Sequence, residues 1–196
     1  MFELVYPYEP APLYPRPTVD APGPVAGDAL EMLPLIEPSG LVYGQATRSY
    51  CHSGARVLHP VVHLHLVDRF GRIYLQKRSM QKDLLPGRWD TAVGGHVTYG
   101  EGTLEALYRE TAEELGLTAF TPVFLETDLW ETTRDREFVV IYASVGHPDL
   151  SPDPAEVSEG RWWTEEEIDA ARGKGILTPN FEEEFTRIRS RLFALL

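Results

Sequence analysis

The alternation of apolar and polar residues predicts strands through the middle of the chain. Between residues 61 and 67, valine and leucine occupy one face of an extended segment, while His63 and His65 occupy the other. An Asp-Arg-Phe-Gly turn leads from this segment into a second strand over residues 72–78. Similar runs predict a hairpin at 35–43, with Pro-Ser-Gly in its turn, and further strands at 121–130, 136–143 and 160–163.

Spacings of three and four residues predict helices. The stretch 95–117 contains an apolar stripe expected to pack on a sheet, formed by Leu104, Leu107, Tyr108, Thr111 and Leu115. A short helical turn is predicted at 29–32, and Thr164 begins a helix with a capping-box pattern. The last helix begins near Thr178, and its predicted packing face is Phe181, Phe185, Ile188 and Leu192.

Three carboxylates share one edge of the helix in the stretch 95–117. At about 100° per residue, Glu110, Glu113 and Glu114 fall within roughly a third of the helix circumference. Like charges this close weaken a helix and raise one another's pKa unless a cation intervenes. Clustered hard oxygen ligands suit Mg²⁺ or Mn²⁺. The alternative interpretation is a solvated glutamate face without a ligand.

The wider spacing resembles the box that defines the Nudix family. The matching positions are Gly95, Glu101, Arg109, Glu110, Glu113, Glu114, Gly116 and Leu117. Thr111 replaces the usual aliphatic residue, and it remains β-branched and on the packing stripe. The Pro-Gly-x-Trp approach ending at Trp89 is also similar to the family, with Trp89 expected in core or loop packing. The resemblance implies an α/β protein with the Nudix fold, an α/β/α sandwich with a mixed β-sheet.

The resemblance also implies a hydrolase of the pyrophosphatase type. Its substrate would be a nucleoside diphosphate derivative or a similar small molecule, and metal-activated water would cleave the diphosphate linkage. Mg²⁺ or Mn²⁺ would be held by the Gly95 carbonyl and by Glu110, Glu113 and Glu114. Glu114 is the strongest candidate ligand.

Other roles implied by the resemblance are less specific. Arg109 would orient a neighbouring carboxylate, Glu101 would be an outer ligand or water partner, and Glu110 is a candidate general base. Arg78 is a candidate phosphate contact, or its guanidinium only reaches solvent. A further metal carboxylate could come from the polar loop at 146–158 or just after it, as Glu156 or Glu159.

Two other functions share this fold. Isopentenyl diphosphate isomerase has a histidine–carboxylate metal site, and the set of His52, His59 and His96 is similar to it. Asp135 and Glu137 could supply the carboxylates. The same histidines could instead form a second metal site in a hydrolase, or make ordinary hydrogen bonds. The isomerase carries its catalytic cysteine at the position of Gly94, and Cys51 is no replacement there. The third reading is a non-catalytic ligand-sensing domain, but such domains usually lose box glutamates, and none is missing here.

Charge and composition narrow the classes of partner. A net charge of −12 argues against a broad basic surface for nucleic acid or anionic membrane. No apolar run approaches the ~20 residues of a membrane span, and no basic region followed by an apolar one begins the sequence. The single cysteine excludes an intramolecular disulfide framework and fits a reducing compartment. We therefore expect a cytoplasmic protein.

The N-terminal segment differs in composition from the rest. Residues 1–28 are rich in proline and tyrosine, which predicts an extended arm ahead of a Nudix domain at 29–196. The arm is either a flexible tail, a segment lying on its own domain, or a segment lying on a partner subunit; the last would make a homodimer. The loops at 79–90, 131–136 and 146–158 are expected to select the substrate.

Overall fold

The computed structural model describes residues 1–14, 27–82 and 84–196. A 3₁₀ turn occupies Gly27–Leu30. The strands are β1 (Met32–Ile36), β2 (Val42–Thr47), β3 (His59–Val67), β4 (Ile73–Arg78), β5 (Trp89–Asp90), β6 (Val93–His96), β7 (Val123–Glu131), β8 (Arg136–Val145) and β9 (Val157–Trp163). The helices are α1 (Arg48–Cys51), α2 (Thr103–Leu115), α3 (Glu165–Ala171) and α4 (Pro179–Phe193).

The described strands form two sheets. Strands β1 and β2 pair antiparallel, which confirms the predicted hairpin. The second sheet has seven strands in the order β5-β4-β3-β8-β7, with β6 added to β3 and β9 added to β4. Strand β4 runs antiparallel to β3, β5 and β9. The predicted α/β class with a mixed sheet is confirmed.

The chain divides into two compact units. The first unit comprises Met1–Val62, His96–Ala106 and Thr127–Val140, and the second comprises His63–Gly95, Leu107–Glu126 and Ile141–Leu196. In the first unit, Leu33, Leu35, Ala46 and Cys51 form a buried cluster. None of the helices in the described ranges has the length and apolar character needed to cross a bilayer.

The core of the second unit contains the two C-terminal helices. Thr178 caps α4 by accepting the Phe181 amide, and Pro179 occupies the first turn, where its missing amide costs nothing. The predicted packing face of α4 is buried in full. Trp89 is buried in the same core, as expected. Thr164 and Glu167 form the predicted capping box of α3.

The N-terminal residues that the structure describes lie against the β1–β2 hairpin. Val5 forms a parallel bridge with Leu41, and Leu13 forms another with Gln45. Residues 15–26 of the predicted arm lie outside the described ranges. The boundary at residue 28 therefore stays a prediction.

The predicted packing face of α2 is partly wrong. Tyr108 is 40% exposed and Leu104 is half-buried, whereas Ala106 and Glu114 are buried. The buried face of α2 is thus rotated relative to its apolar residues, because it includes Glu114, a charged residue that a hydrophobic pattern does not indicate. Thr111 is fully buried, and its hydroxyl donates to the Leu107 carbonyl at 2.6 Å. The hydrogen bond satisfies the polar atom that replaces the usual aliphatic side chain.

Other differences concern short elements. Strand β9 begins at Val157, three residues before the predicted start. The short elements α1, β5 and β6 were not predicted. Elements of two to four residues are too short to establish a periodicity in the sequence.

A buried carboxylate of α4 joins two histidines of β3. Glu184 accepts from His63 Nδ1 at 2.8 Å and is 2.5 Å from His65 Nε2. Burial disfavours the carboxylate charge, but the two imidazoles outweigh it and hold the Glu184 pKa far below its usual range. The two histidines on the polar face of β3 are therefore buried, and Glu184 rather than solvent is the hydrogen-bond partner of one ring nitrogen of each.

We expect Glu184→Gln to destabilise the protein most at neutral pH. A carboxyl with a depressed pKa contributes stability above its unfolded pKa, about 4.3, and that contribution is lost as the pH falls. The deficit in the free energy of unfolding should be about 1–3 kcal/mol near pH 6 and should shrink towards pH 3. Urea denaturation across this range measures it. The exposed neighbouring change Glu183→Gln is the control, and an equal pH dependence in both variants would contradict the assignment.

Candidate functional site

The second unit brings Glu110 onto the backbone of Gly95. The Glu110 side chain lies so close that a Cβ at Gly95 would overlap its carboxyl group. Gly95 is buried at the end of β6, and Glu110 projects from the middle of α2. The glycine is required here for space, since any larger residue would displace the carboxylate.

Glu114 lies one helical turn further on and is only 5% exposed. Its Oε2 accepts from Gln76 Nε2 at 2.9 Å and from the Gly94 amide at 3.4 Å. Burial is the larger cause, and the charge of Glu110 the second, of a rise in the pKa of Glu114 to about 8. A buried carboxylate beside a second one needs either a proton or a cation.

Arg109 connects two of the box carboxylates. Its Nη1 donates to Glu110 Oε1 at 2.8 Å and to Glu113 Oε2 at 3.2 Å. The Glu113 side chain is 59% exposed, so it is the most solvated of the three acids. Arg109 orients Glu110 from one side while the Gly95 backbone lies on the other.

This donor set fits a hard divalent cation. Glu110, Glu113 and Glu114 supply carboxylate oxygens from consecutive turns of one helix, which Mg²⁺ and Mn²⁺ prefer. Burial and the neighbouring Glu110 raise the pKa of Glu114 because both oppose its charge, and a bound cation would offset that cost. The residues present therefore supply the donor type that the implied metal prefers, but their oxygens are not gathered within 4.8 Å of one another as the ligand atoms of the histidine cluster are.

Two other candidate residues are engaged in local contacts. Glu101 belongs to the first unit, where its Oε2 accepts the Thr98 amide at 3.1 Å. Arg78 donates to Asp90 Oδ2 at 3.2 Å and to the Leu84 carbonyl at 3.1 Å. In the acidic loop and after it, Glu156 pairs with Lys82 and Glu159 pairs with Lys77.

The predicted histidine set is gathered within the first unit. His52, His59, His96 and Glu137 each offer a ligand atom, and these atoms lie within 4.8 Å of one another. His52 Nε2 and His96 Nε2 are 2.8 Å apart, and His52 Nδ1 is 2.9 Å from Asp135 Oδ1. Paired imidazole nitrogens with an outer carboxylate are the usual environment of a transition-metal site.

His59 is the member of this set with an unsatisfied atom. Its Nδ1 is 3.0 Å from the Val57 carbonyl, but its buried Nε2 has no hydrogen-bond partner. Burial lowers the pKa of His59 to about 4, so the ring is neutral at pH 7 and can bind a metal. The cluster therefore fits a metal ion as well.

Cys51 does not extend the chemistry of this cluster. Its side chain is fully buried, and burial raises its pKa to about 12. A thiol with so high a pKa is a poor nucleophile. Gly94, at the position where the isomerase carries its cysteine, has no side chain, and a Cβ there would lie 3.4 Å from His63 Cδ2.

Sequence reasoning did not assign the residues that hold the site in place. Gln76 on β4 supports Glu114, and the Lys82 charge also acts on Glu114. Both residues are polar positions near the end of a strand, a signal shared by many surface residues. Only the tertiary structure distinguishes them.

Comparisons with known proteins show which family and fold this chain resembles. The family model for the NUDIX domain matches residues 57–181. The chain is 34% identical to an uncharacterised Nudix hydrolase, YfcD, of Salmonella typhi, over 71% of this chain and 76% of the relative. It is 32% identical to an isopentenyl-diphosphate Delta-isomerase of Streptomyces griseus, over 70% of this chain and 73% of the relative.

A solved structure shows the same fold. The crystal structure of DR0079 from Deinococcus radiodurans is 28% identical and superimposes with a TM-score of 0.69. The match covers 80% of this chain and 98% of that one.

The paired glycines allow a direct test of the carboxylate site. Gly95→Ala should weaken Mn²⁺ binding to the carboxylate site about 10- to 100-fold, because the new methyl group displaces Glu110. Gly94→Ala should bind nearly as the wild type, since its Cβ makes ordinary contacts. Titration of Mn²⁺ followed by electron paramagnetic resonance measures both, in a His96→Ala background that removes a ligand of the histidine cluster. Equal affinities would refute the role of the close approach.

Proposed function

Because the chain belongs to the Nudix family, we propose that it hydrolyses a diphosphate linkage with the help of Mg²⁺ or Mn²⁺. The proposed substrate class is a nucleoside diphosphate derivative or a similar small diphosphate. The observation that supports this proposal best is the packing of Glu110 on Gly95 beside the buried Glu114. This packing supports the proposal because a solvated glutamate face would leave Glu110 and Glu114 in water.

In the proposed mechanism, neighbouring residues hold the three carboxylates of α2 in a fixed arrangement. Gln76 and the Gly94 amide fix the buried Glu114, and Arg109 fixes Glu110 and Glu113. Such pre-organisation means that little reorganisation accompanies the chemical step. When bound, the divalent ion supplies charge neutralisation for the diphosphate and a lower pKa for attacking water.

Proton transfer and phosphate contact are assigned among the remaining residues. Glu110 is the proposed general base, since its carboxylate is only 15% exposed and is oriented by Arg109. Glu101 is proposed as a water partner in the first unit. Arg78 is proposed to contact phosphate, which would require an exchange of its Asp90 partner. A cytoplasmic location and a homodimer remain parts of the proposal, but the described part of the arm lies on the hairpin of its own chain and gives the homodimer no support.

Hydrolysis should depend on the buried carboxylate. We expect Mg²⁺-dependent release of phosphate or a monophosphate from at least one compound in a panel of nucleoside diphosphates, dinucleotides, nucleotide sugars and prenyl diphosphates. Glu114→Gln should lower kcat at least 100-fold, because it removes one charge from the metal site while keeping the shape of the side chain.

The matched control is Glu105→Gln. Glu105 is an exposed glutamate of the same helix, and its carboxylate accepts the Gly102 amide at 2.7 Å. Glutamine removes the same charge but keeps an oxygen that can accept this bond, so kcat should be nearly unchanged. Thermal stabilisation by a nucleotide without any turnover would contradict hydrolysis and favour a ligand-sensing domain. Equal losses in both variants would show that charge alone, rather than the site, was responsible.

The second candidate function is an isomerase-like reaction. The histidine cluster with Glu137 favours it, as does the similarity to an enzyme named as an isomerase. Gly94 and the buried, high-pKa Cys51 disfavour it, because no thiol is available at the matching position. Hydrolysis is therefore the main proposal.

The histidine cluster can be tested independently of the box. His96→Ala should remove one bound Mn²⁺ or Zn²⁺ per chain, as counted by calorimetric titration, while Glu114→Gln should leave that ion bound. For the isomerase reading, the assay is proton exchange on an allylic diphosphate in deuterated water. Exchange without phosphate release, abolished by His96→Ala, would overturn the preference for hydrolysis.

A further inference from the structure

Residues 2–11 of the N-terminal arm are hydrogen-bonded to the turn at 98–103, which leads into α2. Three hydrogen bonds join the two segments within the first unit. The Tyr6 hydroxyl donates to the Glu101 carbonyl at 2.8 Å, and the Ala11 amide donates to the Tyr99 hydroxyl at 3.1 Å. The Thr103 hydroxyl donates to the Phe2 carbonyl at 3.0 Å.

Aromatic packing reinforces these hydrogen bonds. The Tyr6 and Tyr99 rings meet edge to face, with centroids 5.4 Å apart. Phe2 packs on Phe138 of β8, with centroids 4.5 Å apart. The edge-to-face pair of Tyr6 and Tyr99 is stabilising beyond the area that it buries, and the Phe2–Phe138 pair, tilted at 30°, adds apolar packing.

The other side of the arm is fixed to the hairpin. The Val5 amide donates to the Gly40 carbonyl at 2.9 Å, and Val5 accepts from the Val42 amide at 2.9 Å. Further along, the Gln45 amide donates to the Pro12 carbonyl at 2.9 Å. The arm thus lies between the β1–β2 hairpin and the turn, and it is hydrogen-bonded to both.

The turn also has hydrogen bonds of its own and to the residues at the start of β1. The Glu101 amide and carboxylate both bond to Thr98, and Gly100 has a φ of +93° that other residues rarely adopt. The Thr98 hydroxyl also donates to Glu31, and the Tyr99 amide donates to the Met32 carbonyl. The arm adds further hydrogen bonds at Tyr99, Glu101 and Thr103, so the stability of the turn against local opening should depend in part on the arm.

We propose that residues 2–11 form a clasp that holds the turn at 98–103, and that Tyr6 is a positioning residue for the enzyme. The functional half of this proposal rests on the proposed hydrolysis, in which Glu101 takes part. The clasp acts through Glu101 without touching substrate. Burial raises the pKa of Tyr6 to about 12, so its hydroxyl stays protonated and able to donate at physiological pH.

Three identical tyrosine-to-phenylalanine changes test the clasp in the full chain. Tyr6→Phe and Tyr99→Phe each remove one hydroxyl of the grip, and the double variant removes both. Tyr8→Phe is the control, because Tyr8 lies in the same arm but is fully exposed. Hydrogen exchange of the amides at 98–103 is measured by mass spectrometry, and kcat and KM are measured on a substrate found in the panel.

The expected result is faster exchange at the turn and a lower kcat. Each single change should raise exchange at 98–103 roughly two- to tenfold and lower kcat by a similar factor, with KM nearly unchanged. The double variant should show a larger effect than either single one. Tyr8→Phe should match the wild type in both measurements.

Two results would overturn the proposal. If exchange at the turn is the same in Tyr6→Phe and Tyr8→Phe, the arm does not hold the turn. If exchange rises while kcat is unchanged, the arm is structural and Tyr6 does not position the site. Absence of turnover in the wild type would instead refute the proposed hydrolysis, and the exchange measurement would still decide whether the clasp exists.

Discussion

The approach of Glu110 to the backbone of Gly95 is the constraint on which the carboxylate site depends. Only a residue without a Cβ leaves space for the carboxyl group there. Glu114, one turn further along the same helix, is buried and bonded to Gln76 and to the Gly94 amide. Glu110 and Glu114 are therefore packed side chains whereas Glu113 is exposed, and a buried acid beside a second one needs either a proton or a cation.

The two candidate metal sites are built on different principles. The carboxylates come from one helix and are hard oxygen donors, suited to Mg²⁺ and its ligand shell of phosphate and water. The histidines come from three separate segments, and a buried neutral ring with an unsatisfied nitrogen marks that cluster. One chain thus combines a complete box with a histidine set similar to that of the isomerase. The missing thiol at Gly94 separates its chemistry from the isomerase.

Much of this arrangement was predictable, and the failures have physical causes. The box was readable because glycine, arginine and glutamate stand at fixed intervals that a helix converts into one face. The capping residues Thr164 and Thr178 were readable for a similar local reason. The predicted burial of Tyr108 was wrong, because apolar character alone does not reveal that Glu114 of the same helix is buried while Tyr108 is exposed. Glu184 was not foreseen as the partner of His63, because 121 residues separate them.

The sequence by itself determined the family, the helix that carries the carboxylates and the identity of the candidate ligands, since all three follow from local spacing. The meeting of the three histidines with Glu137 was anticipated only through the family resemblance. Tertiary structure alone decided which acid of the box is buried and which side chains support it. It also decided that the N-terminal segment bonds to the turn before α2. These outcomes depend on contacts between residues far apart in the chain, and no local pattern encodes such contacts.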